Sequence, residues 1–261
     1  MVGRWLETDF IDTHYNLALE QAILYLQPHN EFSATVRFWT NPKAVILGRS
    51  QQIEEEINIA YCSENNIITG RRISGGGTVF LDSGTLNISI FLPRRLLFPR
   101  ARHTRSISKY FSERIVECLE AELGINKFVI YQDTSILFNQ KKISGSAGYF
   151  RSSWFLHHLT LLLQTNLSHL DQALLAGKEQ YSSKRPSSFF PTANLPPLSK
   201  TKLIKRFIKQ LEEEFSHAFN KYPITESEKN LARRLTNKMY SQSSWIWDKK
   251  RGLIEQEFSS S

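Results

Sequence analysis

The chain has 261 residues, 41% hydrophobic and 12% aromatic, a composition that supports a substantial core and excludes a disordered protein. Its net charge of +8 favours an anionic partner, yet the basic clusters Arg94–Arg105, Lys200–Lys209 and Lys249–Arg251 lack the interleaved aromatics of a nucleic-acid groove. No apolar run approaches the roughly 20 residues of a membrane span, the start has no signal h-region, and neither Cys62 nor Cys118 has metal-ligand spacing, so the expectation is a cytoplasmic protein with reduced, structural thiols.

Ala34–Trp39 and Ala44–Leu47 are short β-like runs, and Asn41-Pro42 between them predicts a hairpin. Ile53–Asn65 is charged and reads as helix. Thr78–Leu81 and Leu86–Phe91 predict a second hairpin across Asp82-Ser83-Gly84. Ser106–Leu123 places Ile107, Tyr110, Phe111, Ile115, Val116 and Leu119 at helical spacing, and Gly124 ends the pattern. Phe128–Tyr131, Thr134–Phe138, Lys141–Ser146 and His158–Leu163 read as strands, and Ser168–Leu175 as a short helix capped by Ser168. Tyr181–Pro197 is rich in Ser and Pro without a period and reads as a long surface loop, a candidate lid. Lys200–Phe219 is amphipathic, with Leu203, Ile204, Phe207, Ile208, Leu211 and Phe215 on one face, and Thr225–Met239 is a polar helix. Strands in the middle with helices around them predict an α+β fold with a mixed, mostly antiparallel sheet flanked by helices.

Three stretches carry chemistry. In the first, Arg71 and Arg72 lead through Ser74 into Gly75-Gly76-Gly77-Thr78. Consecutive glycines either make a tight turn or let backbone N–H groups approach an anion, with the arginines beside them. In the second, Lys141 and Lys142 precede Ser144-Gly145-Ser146-Ala147. The lysines are either a solvated strand end or an ammonium beside a small-residue floor with room for a ligand. In the third, His157 and His158 point to opposite faces of a strand, so they cannot share one metal; one is packed while the other meets solvent or a pocket. Asp133, just before a strand, is either a turn residue or a Mg²⁺ ligand completed by water and phosphate oxygens.

These stretches, in this order, together with Leu17-Ala-Leu-Glu-Gln21, Val36-Arg-Phe-Trp39, Gly48-Arg49, Asp82-x-Gly-x-Leu-Asn87 and His157-His-x-Thr-Leu-Leu162, resemble the lipoate–protein ligase A family from about Trp5 to Phe219. The resemblance implies the α+β catalytic domain shared by lipoate ligases, octanoyltransferases and biotin ligases. It implies ATP-dependent attachment of lipoate, through lipoyl-AMP, to a lysine of a lipoyl-domain acceptor. Such acceptors are the acyltransferase subunits of 2-oxoacid dehydrogenases and the H protein of glycine cleavage. By motif position it assigns Lys142 as the catalytic cation at the α-phosphate and carbonyl oxygen. It also implies that Gly75, Gly76 and Gly77 line the lipoyl tunnel and that Arg72 contacts the acyl or phosphate end. Ser74, Thr78, Asn87, Ser144, Gly145, Ser146, Ala147 and His158 complete the substrate site, ATP is the cosubstrate, and Asp133 lies on the Mg²⁺ side. Gln132 stands where the family usually has Asn.

The chain departs from the pattern at Leu81, Thr85 and Leu159, where the family usually carries His, Asn and Gly, and in the insertion-like segment Tyr181–Phe190. Lacking a cysteine after Cys118, it does not match the thioester-forming acyltransferases, and it lacks the arginine–glycine signature of biotin ligases. Only 39 residues follow Tyr222, too few for a domain with its own core. The expected division is a catalytic domain over 1–221 and a short helical tail over 222–261, like archaeal-type ligases whose accessory domain is a separate protein. The alternative readings are an acyltransferase that uses lipoyl-AMP or octanoyl groups, and a non-catalytic relative that binds acyl chains or lipoyl domains.

Overall fold

In the computed structural model, which describes residues 2–97, 103–178, 181–184, 187 and 190–249, an eight-stranded sheet divides the molecule. The chain opens with β1 (Val2–Thr8), α1 (Thr13–Leu26) and β2 (Phe32–Trp39). It crosses to a small sheet through β3 (Ala44–Leu47), the short helices α2 (Ile53–Glu56) and α3 (Ile59–Glu64), β4 (Ile68–Arg71) and β5 (Val79–Leu81). It returns as β6 (Thr85–Pro93), α4 (Arg94–Leu97), α5 (Thr104–Leu123), β7 (Phe128–Tyr131), β8 (Ser135–Phe138), β9 (Lys141–Arg151) and β10 (Trp154–Leu162). It finishes with α6 (Leu167–Ala173), α7 (Lys200–Phe215), β11 (Phe219–Lys221), α8 (Glu226–Leu235), a π-turn at Thr236–Tyr240 and α9 (Ser243–Ile246). The large sheet runs β11-β1-β2-β6-β10-β9-β8-β7, parallel only at its β11-β1-β2 end. The small sheet runs β4-β3-β5. This is the mixed, mostly antiparallel α+β arrangement expected.

Each face of the large sheet buries its own core. On one, α5 and α7 lay Phe111, Ile115, Phe207 and Leu211 against Val36, Phe38, Ile88, Ile90 and Phe155. Their apolar spacing is the helical period read from the sequence, and Gly124 closes α5 at φ 68°. On the other face lie α1, the small sheet and the C-terminal helices, with Leu19, Ile23, Leu47, Phe80, Leu156, Tyr240 and Trp245. Asp12 caps α1 by accepting from the N–H groups of His14 and Tyr15. Residues Asn16 to Tyr25 are buried on every side, so α1 has no polar face to betray its period.

The structure corrects several expectations. Neither hairpin forms. Asn41-Pro42 leads from β2, which pairs with β1 and β6, into β3, which pairs with β4 and β5. Asp82-Ser83-Gly84 likewise leads from β5 in the small sheet to β6 in the large one. The helix over Ile53–Asn65 is two pieces, interrupted where Ile57 bridges Leu174. Asn166, not Ser168, caps α6. α7 stops at Phe215, because Ser216 turns left-handed (φ 52°) and Phe219–Lys221 joins β1. Parts of the Arg94–Arg105, Lys249–Arg251 and Tyr181–Phe190 segments lie outside the described residues.

The segment after Tyr222 is tied to the chain's opening by buried polar contacts. Glu228 caps α8 and forms a two-pronged ion pair with Arg4 of β1, at 2.9 and 2.5 Å, with both side chains almost fully buried. Removing one member of such a pair strands the other charge and costs about 3–5 kcal/mol. Tyr240 donates to Gln21 of α1. Arg71, at the end of β4, is fully buried and donates to the carbonyls of Trp245 and Ile246, while Trp245 Nε1 donates back to the Arg71 carbonyl. No described helix is long and apolar enough to cross a membrane.

Candidate active site

The two sheets enclose a cavity of about 480 Å³ on the α1 side of the large sheet. Its walls come from every chemically informative stretch: Arg72 and Gly75–Thr78 from the β4–β5 connection, Lys142 and Gly145–Ala147 from β9, and His158 from β10. Leu17, Trp39, Ile46, Leu81 and Leu159 supply apolar surface. Asn87 lines it too and donates to the Trp39 carbonyl.

The glycine loop is built by close approach. A Cβ on Gly48 would sit 2.0 Å from the Gly76 carbonyl oxygen, so only glycine lets the 48–51 turn lie against the loop. Gly76 itself holds φ at 87°. Arg72 braces this backbone from inside, donating to the carbonyls of Ile46, Gly75 and Gly77 and to Ser74 Oγ. Burial first lowers its pKa, to about 10, with Glu20 opposing and Arg71 adding to the shift. Arg71 is no anion ligand. Its guanidinium is consumed by the carbonyls of Gly48, Arg49 and Gln51 on one side and of residues 245–246 on the other.

A hydrogen-bonded chain runs along the cavity from Ser74. Its Oγ meets His158 Nε2 at 2.6 Å, and His158 Nδ1 meets Glu20 of α1 at 3.1 Å. Glu20 accepts from Ser89 Oγ at 2.5 Å, and Ser89 accepts from Trp39 Nε1 at 2.8 Å. Burial alone would raise the Glu20 pKa. The His158 ring, the hydrogen bonds from His158 and Ser89, and the Arg37 charge outweigh it and hold the carboxyl below its ordinary value. His157, one residue earlier, points the other way. It is fully buried, stacks on Phe111 with centroids 5.1 Å apart, and among the described residues neither ring nitrogen has a hydrogen-bond partner. Burial, then the neighbouring His158, pushes its pKa down to about 3. The histidine pair thus divides between a core and a pocket.

Lys142 sits where two chambers meet. It lines the main cavity and a smaller one of about 140 Å³, walled by Phe80, Leu170, Phe190 and Thr192, and the two chambers share Thr78, Gly145 and Thr160. Backbone bonds to Pro191 and Ala193 fix its position. Its side chain runs beside Gly145, where a Cβ would make ordinary contact with Lys142 Cε and Nζ at 3.4–3.5 Å. Among the described residues no acceptor meets the ammonium, and burial lowers its pKa. Lys141 is exposed, the solvated member of the pair. Ser144 lines the smaller chamber rather than the main one, and Ser146 Oγ donates to the Thr134 carbonyl.

Asp133 occupies the β7–β8 turn at φ 64°, beside the lining residues Thr134 and Ser135 but outside the lining itself. Among the described residues no three His, Cys, Asp or Glu side chains gather as a metal site. Both cysteines are buried and neither lines the cavity; burial raises Cys62 to about 11 and Cys118 to about 12. A thiol so shifted is a poor nucleophile. Thr85 meets Thr165 and Asp82 in the β5–β6 turn and does not touch the cavity, whereas Leu81 and Leu159 border it.

Sequence reasoning missed Glu20, Trp39, Ser89, Gln51 and Ser187. Gln51 accepts from Thr78 Oγ1 and Gly48 N–H and donates to Ser187. Ser187 also accepts from Thr78 N–H and donates to Glu56. One signal was available: an acid in the run Leu17-Ala-Leu-Glu-Gln-Ala-Ile-Leu, where a solvated carboxylate has no place.

Residues 12–216 match the family model of the lipoyl protein ligase A/B catalytic domain. Lipoate-protein ligase A subunit 1 of Thermoplasma acidophilum is 29% identical, over 94% of this chain and 95% of that protein. Among solved structures, the chain is similar to a bipartite lipoate protein ligase of the archaeal lipoylation system of T. acidophilum, studied with its E2 lipoyl domain. That match has a TM-score of 0.80 and 28% identity over 96% of this chain and 98% of that one. A lipoate-protein ligase A bound with ATP gives 0.78 and 28%, over 95% and 99%. A T. acidophilum lipoate protein ligase with bound lipoic acid gives 0.76 and 28%, over 95% and 100%.

Proposed function

The chain belongs to the lipoyl protein ligase A/B catalytic-domain family, and from that premise we propose that it attaches lipoate, through lipoyl-AMP, to a lysine of lipoyl-domain proteins. The observation that carries the reading is Lys142, an ammonium that meets no acceptor among the described residues, at the junction of an apolar-walled cavity and a second chamber. The acyl chain lies in the main cavity along Leu17, Trp39 and Ile46, beneath the glycine loop. The nucleoside occupies the smaller chamber, between Phe80 and Phe190. The carboxylate and α-phosphate then meet beside Lys142.

In the first step a lipoate carboxylate oxygen attacks the α-phosphorus. The new P–O bond forms as the bond to the β-phosphate bridge breaks, and pyrophosphate leaves with the electron pair. Lys142 neutralises charge on the α-phosphate, and the anion restores to Lys142 the stabilisation that burial removes. In the second step the acceptor lysine amine attacks the acyl carbon, AMP departs, and the amine's surplus proton is lost. Lys142 polarises the same carbonyl oxygen. The mixed anhydride is already activated, so no protein nucleophile is needed, in keeping with two buried thiols.

Arg72, bonded to Ser74 and to the carbonyls of Gly75 and Gly77, holds the glycine loop in place against the acyl chain. Thr78, Asn87, Gly145, Ser146, Ala147 and His158 shape the walls, and Ser144 serves the nucleoside side. Magnesium enters with the nucleotide, held mainly by phosphate and water oxygens, with Asp133 as the nearby carboxylate. The acceptors are the acyltransferase subunits of 2-oxoacid dehydrogenases or the H protein of glycine cleavage. The cytoplasm is the compartment that keeps Cys62 and Cys118 reduced. Residues 1–221 form the catalytic domain, and the helices after Tyr222 brace it.

The test is mass spectrometry of an apo lipoyl domain incubated with the protein and either lipoate plus Mg–ATP or synthetic lipoyl-AMP. Lipoyl mass gained in both incubations is the expected result. Gain from lipoyl-AMP alone assigns activation to a separate accessory subunit. Gain in neither, with folded protein, overturns the reading.

A further inference from the structure

Arg71 carries a charge into the interior, and among the described residues no carboxylate bonds it. It ends β4 with its side chain fully buried. Its acceptors are backbone carbonyls from two separate segments. Nη1 donates to Gly48, to Gln51 and, at 3.4 Å, to Arg49. Nε and Nη2 donate to Trp245 and Ile246 at the end of α9. Trp245, itself buried, closes the circuit by donating from Nε1 to the Arg71 carbonyl at 2.8 Å. Burial lowers the Arg71 pKa to about 10, with the Glu54 charge opposing. Arg4, which also ties the C-terminal segment to the body, is built differently. The Glu228 carboxylate neutralises it, and neither residue lines the cavity. Buried charges are ordinarily paired in that way. A guanidinium that spends its donors on carbonyls instead fixes the course of the backbone that carries them.

That backbone is cavity wall. Ser50 and Gln51 line the main cavity. Arg49 N–H donates to the Ser74 carbonyl and Arg72 N–H to the Leu47 carbonyl, so the 48–51 turn is stitched to the start of the glycine loop. Gln51 Oε1 accepts from Thr78 Oγ1 and carries the tie to the loop's far end. Without the guanidinium, carbonyl oxygens from the turn and from α9 would point at one another with no donor between them. Their repulsion would push the turn outward, and Ser50, Gln51 and the loop would follow.

We propose that Arg71 is a positioning residue for the substrate cavity, and that α9 sets the glycine loop through it. The proposal rests on the reading above that the loop lies against the acyl chain. Arg71 touches no substrate. It holds the turn where Gly48 and Gly76 pack together, so its loss weakens the grip on the acyl group rather than slowing the chemistry. A change at Trp245 acts on the same wall from 174 positions along the chain.

The experiment compares the wild-type full chain with Arg71→Lys, Trp245→Phe and Glu228→Gln. It measures urea unfolding, transfer to an apo lipoyl domain from synthetic lipoyl-AMP, and amide hydrogen exchange in the peptides covering 48–51 and 75–78. Lysine keeps the charge but cannot fork between two segments, and phenylalanine keeps the packing of Trp245 but loses its donor. We expect the KM for lipoyl-AMP to rise about tenfold in Arg71→Lys and about threefold in Trp245→Phe, with kcat within about twofold of wild type, the pattern of lost uniform binding. Exchange should quicken in both peptides. Glu228→Gln is the control: it should lower the urea midpoint and leave KM and loop exchange at wild-type values. A wild-type KM in Trp245→Phe or in folded Arg71→Lys overturns the proposal. So does a KM that rises in Glu228→Gln in step with lost stability, which would make both arginines general braces. If Arg71→Lys does not fold, Trp245→Phe decides alone. Failure of the wild type to transfer from lipoyl-AMP sinks the functional reading instead, and the exchange measurement still judges the link from α9 to the loop.

Discussion

On the α5/α7 side of the large sheet, His157 stacks with Phe111 and Phe155, and among the described residues its ring nitrogens meet no partner, so it serves as packing. On the other side, His158 bonds Ser74 and Glu20 at the wall of the cavity. The two residues share a strand and an amino-acid type and differ only in the direction the pleat gives them. The α5/α7 face carries stability through apolar contact. The cavity face carries chemistry on polar groups whose partners come from α1, β4 and β6. A site can therefore be altered on one face with little effect on the packing of the other.

The division can be broken from either side. Phe111→Ala should cost about 3–5 kcal/mol in denaturant unfolding, as loss of a fully buried aromatic does, while the folded fraction keeps its KM for lipoate. A large change in KM would show that the faces are coupled. Lys142→Ala should cut adenylate formation about 10²–10³-fold, equivalent to about 3–4 kcal/mol at the transition state, and leave the unfolding midpoint in place. A variant that unfolds would make Lys142 a structural residue.

His157→Phe sharpens the contrast most finely. The folded-state pKa of about 3 lies below the ordinary value of 6.5, so the folded protein takes up this proton later than the unfolded chain. The resulting stability is whole above pH 6.5 and drains as pH falls toward 3, about 2 kcal/mol of it between pH 8 and pH 5. His157→Phe should remove that slope, gaining about 2 kcal/mol more at pH 5 than at pH 8 in urea titrations. Glu20 does not obscure the window. Its pKa is lowered from 4.5, so its contribution is present above that value and is lost only as pH falls below it.

The sequence shows the site wherever its residues are contiguous. Gly75–Gly77, Lys142 with its small-residue floor, and His158 stand on the cavity because each is a short run whose chemistry does not depend on distant partners. Strand pairing was not legible, since both hairpin readings rested on real turns, Asn41-Pro42 and Asp82-Ser83-Gly84, that join two sheets. A turn signal reports that the chain reverses, not which sheet receives it. α1 was missed because burial on all sides erases the period that reveals a helix. Arg71 was read as a companion of Arg72, but Arg71 ends β4 and points toward the 48–51 turn and α9, while Arg72 braces the glycine loop from the β4–β5 connection. The Arg71 acceptors at Trp245 and Ile246 lie about 175 positions away.

That separation sets an order of events during synthesis. The Arg71 charge leaves the ribosome long before residues 245 and 246 exist to receive it, and the carbonyls of the 48–51 turn offer it only half a cage. Arg4 waits still longer for Glu228. The first strands made therefore carry charges whose partners lie in the last described helices, so their buried polar contacts are complete only once those helices have been made.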